Sequence, residues 1–101
     1  MHEFVVMAQY GAINQKTQEL KNLYLEMNRE IRRMNHIVTD LDIFWDGDAQ
    51  AEFLLAYNRG FTMISAIMLK ISKTIELLLW ALSEYQKTEN IIEQMIGGIR
   101  L

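Results

Sequence analysis

Two unbroken apolar series constrain this chain more than any other feature. From Val6, alternating steps of four and three reach Tyr10, Ile13, Thr17, Leu20, Tyr24, Met27, Ile31, Met34, Val38, Leu41 and Trp45, and eleven of these twelve are apolar. From Leu54, steps of three and four reach Tyr57, Phe61, Ile64, Met68, Ile71, Ile75, Leu78, Leu82, Tyr85, Glu89, Ile92 and Ile96, with Glu89 the one charged position. A 3.5-residue repeat held this long belongs to α-helices packed along a coiled-coil-like seam. With no proline in the sequence, nothing removes a backbone donor inside either run.

Between the two runs stands FWDGDA, residues 44–49. Asp-Gly marks a β-hairpin when alternating strands flank it, but these flanks have the helical period. The reading is therefore all-α: two long antiparallel helices in a hairpin, helix one at about 6–44, a turn at 45–47, helix two at about 48–96 and a tail at 97–101. Gly47 is expected to supply the backbone freedom of the reversal, and Asp46 or Asp48 to cap the second helix and complement its dipole. Gly97-Gly98 should close that helix, and Gly60 marks either a close approach of a partner helix or a kink.

Two helices side by side cover one stripe each. Apolar residues beside the seam widen it: Leu23, Ile37 and Phe44 on helix one, Ile67, Leu79, Ala81 and Met95 on helix two. The width predicts a dimer of hairpins forming an elongated four-helix bundle. The expected interface comprises Tyr24, Met27, Ile31, Met34, Val38, Leu41, Ile64, Met68, Ile71, Ile75 and Leu78. A homodimer is expected because the seam is complete and the charge balance demands no partner of opposite sign. A heterodimer with a paralogue is the alternative.

Trp45-Asp46-Gly47 at the centre of a proline-free, cysteine-free helical chain of 101 residues resembles the WXG family, the ESAT-like substrates of type VII secretion in Gram-positive bacteria and mycobacteria. Tyr85-Gln86-Lys87-Thr88-Glu89 is similar to the Tyr-x-x-x-Asp/Glu element carried near the C-terminus by family members or their dimer partners. The resemblance implies export without a Sec signal peptide to the envelope or medium after synthesis in the cytoplasm. It also implies recognition of Trp45, Gly47, Tyr85 and Glu89 by the secretion ATPase and its export machinery, and a non-enzymatic role in virulence or co-secretion. Spacing alone puts Tyr85 and Glu89 on one helix face, and it equally suits a seam tyrosine followed by a tolerated charge near the bundle end. In an antiparallel dimer, Trp45 of one chain would approach Tyr85 and Glu89 of the partner. Two other functions are carried: a cytoplasmic helical adaptor or chaperone for a larger effector, and a membrane-disrupting protein.

The remaining chemistry is sparse. Net charge is −3, shared evenly between the halves, and no stretch has the basic footprint of a nucleic-acid binder. No cysteine is present for a thiolate site or nucleophile, and His36 with Asp40 is too small a set for a metal. No phosphate loop or nucleophile–base pair is apparent, so neither catalysis nor a cofactor is expected. The N-terminus lacks a basic n-region, and the apolar stretch GFTMISAIML is about half the ~20 residues a bilayer span needs. Leu77 and Trp80 fall away from the seam and suggest a contact surface for a protein or a lipid face.

Overall fold

A computed structural model of the chain describes residues 2–99, with side chains from 7 to 98. It consists of two helices, α1 (His2–Phe44, 43 residues) and α2 (Asp48–Ile99, 52 residues). Both run further than the apolar period requires. The backbone of α1 is helical from His2, four residues before Val6, whose side chain lies outside the described ones.

At the other end, α2 continues through Gly97 and Gly98 instead of stopping at them. The reason is conformational: among the described residues only Gly47 has a positive φ, so the left-handed cap that would have ended α2 is not adopted. At Gly60 no close approach occurs within the chain. A Cβ built there meets nothing within 4 Å, so no neighbouring atom of the chain requires a glycine at that position.

The chain divides into two packed units. One comprises Met1–Leu20 and Thr74–Leu101, the other Lys21–Lys73. In the first, the buried side chains are Thr17, Ile75 and Leu82. Thr17, the one polar member of the helix-one seam, is the most enclosed residue described, at 2% exposure. Its hydroxyl donates to the Ile13 carbonyl at 2.7 Å, so the polar atom is satisfied within its own helix and the methyl group can pack.

The second unit is a helical hairpin around the turn. Met68 is buried there, and Tyr24, Ile31 and Val38 face Leu54, Tyr57, Phe61 and Ile64 as half-buried residues. Asparagines share this seam: Asn28 and Asn35 are half-buried on α1, and Tyr57 donates its phenolic hydrogen to Asn35. One flank of this hairpin is polar, because Asn28, Asn35, Asp42, Asn58 and Ser65 all line clefts on it. The opposite flank of each helix therefore faces the other side. On α1 that flank carries Leu23, Met27, Met34, Ile37, Leu41 and Phe44, with Glu30 between Leu23 and Ile37. On α2 it carries Met63 and Ile67. All but the half-buried Met34 are exposed.

Candidate recognition site

The turn is built by three residues with separate tasks. Gly47 takes φ +104, a conformation that costs an L-residue strain but a glycine little. Its carbonyl accepts the first helical hydrogen bond of α2, from the Ala51 N–H at 3.1 Å, which makes Gly47 the capping position. The Asp46 carboxylate accepts from the Gly47 N–H at 2.9 Å and so stiffens the turn itself. Asp48 occupies the first turn of α2, where a negative charge complements the helix dipole. Among the described hydrogen bonds no aspartate side chain accepts from a backbone N–H of α2, so the expected side-chain cap is not formed and only the dipole complement of Asp48 is present. Gln50 donates to Asp42 across the reversal and ties the two helix ends together.

Trp45 leaves the end of α1 and packs on α2. Its ring lies 5.3 Å from that of Phe53, tilted by 45°. The row continues at helical spacing, Phe53 to Tyr57 at 6.3 Å and Tyr57 to Phe61 at 6.2 Å, both stacked. Such contacts contribute about 0.5–1.5 kcal/mol each beyond area burial. Trp45 nevertheless keeps 37% of its surface open, and its neighbours Ile43 and Phe44 are far more exposed. The part played by Phe53 was not anticipated, although the i, i+4 spacing of 53, 57 and 61 is a legible signal for stacked aromatics.

Tyr85 and Glu89 belong to the other unit. Both are half-buried, as their seam positions require, and the Tyr85 ring stacks on Tyr10 at 5.6 Å. An open cleft of about 210 Å³ runs along them, lined by Met7, Tyr10, Tyr85, Gln86, Glu89, Asn90 and Glu93. The Tyr85 hydroxyl is shut off from solvent and meets no described group in full hydrogen-bond geometry. Its pKa is raised above 10, first by desolvation, then by the Glu89 charge and by the pull of that carboxylate on the phenolic proton. The Tyr85 hydroxyl and the Glu89 side chain together offer a hydrogen-bond donor and an acceptor at this cleft. The Tyr10 pairing could have been counted from the turn, since positions 10 and 85 lie nearly equal distances from it.

The chain matches no protein-family model, no curated protein and no solved structure.

Of the side chains expected at a dimer interface, Met68 and Ile75 are buried inside the chain. Tyr24, Ile31, Met34, Val38, Ile64, Ile71 and Leu78 are half-buried there. Only Met27 and Leu41 stay exposed. What lies open is the row next to the seam, beginning with Leu23 and Ile37. Leu77 and Trp80 point outward from α2 at 66% and 63% exposure, next to the Glu84–Lys87 surface ion pair. No helix among the described residues is long and apolar enough to cross a membrane, and no group of three or more metal-ligating side chains occurs among them.

Proposed function

We propose that this chain is a secreted, non-enzymatic helical protein of the WXG type: a type VII secretion substrate that works as a dimeric protein–protein interaction module. The observation that carries this reading is the coincidence of Trp45-Asp46-Gly47 with the single reversal between α1 and α2, where Gly47 adopts a backbone conformation suited to glycine. Tyr85 and Glu89, one turn apart and bordering an open cleft, supply a second element that export machinery could read.

The homodimer in this proposal rests on surface. The chain exposes 8533 Å², whereas a compact monomer of 11.9 kDa exposes about 5,900 Å². The difference exceeds the roughly 800 Å² per partner that a standard interface covers. The open apolar flank of the hairpin, from Leu23 to Phe44, is the natural place to cover it.

Export is the test. In a bacterium with a type VII system, the wild-type chain should accumulate in the culture supernatant. Trp45→Ala, Tyr85→Ala and Glu89→Ala should remain in the cells while keeping the helical circular-dichroism signal. Secretion of all three at the wild-type level would remove the reading. Retention of the wild-type chain together with a larger protein would favour the adaptor function instead.

A further inference from the structure

The reversal that joins α1 to α2 also sets a reactive pair side by side. Asp46 and Gly47 lie between Phe44, the last residue of α1, and Asp48, the first of α2. The other three aspartates and all six asparagines stand within the two helices. That division matters for chemistry between a side chain and its own backbone. In a helix every Cα–Cβ bond tilts toward the N-terminus, which holds a carboxyl or amide group away from the nitrogen of the next residue. No helix constrains Asp46, and the opposite arrangement is found there. Its carboxylate accepts from the Gly47 N–H at 2.9 Å, so it lies on the side of the chain to which that nitrogen points.

Little else opposes a bond between them. Gly47 has no Cβ to crowd its nitrogen, and apart from its chain neighbours no atom lies within 4 Å of where one would be. Its backbone, at φ +104, has the wide conformational range of glycine. Residues 45–48 are all exposed, so water reaches the turn and the Asp46 carboxyl group can rotate about its Cβ–Cγ bond.

We propose that Asp46 is a self-modification site, whose side chain closes on the Gly47 nitrogen to a succinimide that reopens to isoaspartate in the folded protein. In the closing step the Gly47 nitrogen bonds to Cγ of the protonated carboxyl group and the Cγ–OH bond breaks. The amide proton and that hydroxyl leave together as water. The five-membered ring comprises Cα, Cβ and Cγ of Asp46, its main-chain carbonyl carbon and the Gly47 nitrogen. Water then adds to either ring carbonyl. Cleavage between Cγ and nitrogen restores aspartate. Cleavage between the main-chain carbonyl carbon and nitrogen leaves the chain running through Cβ and Cγ, with the former main-chain carbonyl as a free carboxylate. One water leaves and one returns, so mass and oxidation state are unchanged.

The product alters the turn. The main chain between Trp45 and Gly47 gains one methylene, and the carboxylate that accepted from the Gly47 N–H becomes a main-chain carbonyl. The reversal that seats Trp45 on Phe53 is lengthened and loses that hydrogen bond. This chemistry belongs to the turn itself and holds whether or not the same tripeptide is an export signal.

The purified full chain is incubated for several weeks at neutral pH, with circular dichroism recorded to show that it stays folded. Proteolysis, peptide mapping and labelling by isoaspartyl methyltransferase then locate isoaspartate, with a free peptide of residues 43–50 as the unfolded reference. Isoaspartate should accumulate at position 46 of the folded chain within about tenfold of the peptide's rate, because the turn is exposed and lies outside both helices. Asp40, Asp42 and Asp48 should stay unconverted. Asp46→Glu should abolish the labelling, since its longer side chain cannot close the five-membered ring. Asp46→Asn should pass through the same ring with loss of ammonia, and its product should be a mixture of aspartate and isoaspartate. Absence of conversion in the folded chain, whatever the peptide does, overturns the proposal. Equal labelling of the helical aspartates, or undiminished labelling in Asp46→Glu, also overturns it.

Discussion

Gly47 and Tyr85 are the residues whose local chemistry is most demanding. With φ at +104 and nothing within 4 Å of a Cβ, a side chain at 47 would meet backbone strain and no clash. Gly47→Ala should lower unfolding stability by about 1–3 kcal/mol in urea titration. Gly11 is the useful contrast, a helical glycine with open space around its Cβ. Gly11→Ala should raise stability by about 0.4–1 kcal/mol, because alanine loses less backbone entropy on folding. For Tyr85, a phenol pKa raised in the folded state means that the native chain holds its proton where the unfolded chain has lost it. The associated stability is present below pH 10 and is lost as pH rises above it. Ultraviolet titration should show an ionisation above 10 that disappears in Tyr85→Phe, and the fall of the thermal midpoint above that pH should be smaller in the variant.

The two helices are legible in sequence to within a few residues, because a 3.5-residue period repeated over ten turns has no competing interpretation. Their ends are less legible. Double glycine at 97–98 carries a stop signal, yet α2 passes through it, since a glycine permits the left-handed cap without imposing it. Which stripe of each helix would pair within the chain was also hidden. On α1 the seam accepted Asn28 and Asn35 and left the wholly apolar Leu23 and Ile37 outside, an assignment that depends on which neighbour each side chain meets. Buried and exposed apolar residues should therefore behave differently under truncation. Ile75→Ala and Met68→Ala should each cost about 2–4 kcal/mol in urea unfolding, whereas Leu77→Ala on the outer face should stay within about 0.5 kcal/mol.

For the molecule as a whole, the large exposed surface sets the expectation. If a second copy covers the apolar flank, stability is inseparable from concentration. The thermal midpoint measured by circular dichroism should then rise steadily as the chain is concentrated from about 1 to about 100 μM. A midpoint independent of concentration would count against self-association. Phe44→Asp, on the most exposed aromatic of the flank, should flatten that dependence while leaving the helical signal intact. Truncating the outward-facing Trp80 to alanine should leave it unchanged, since that residue belongs to the other unit and to another face.

The sequence by itself determined the helical class, the reversal at Trp45-Asp46-Gly47 and the seam positions of Tyr85 and Glu89, because these depend on periodicity and on the conformational range of single residues. The tertiary structure alone decided that Thr17 sits deepest, that Trp45 rests on Phe53, that Tyr85 stacks on Tyr10 and that the apolar flank lies open. Those outcomes depend on which residues far apart in sequence become neighbours.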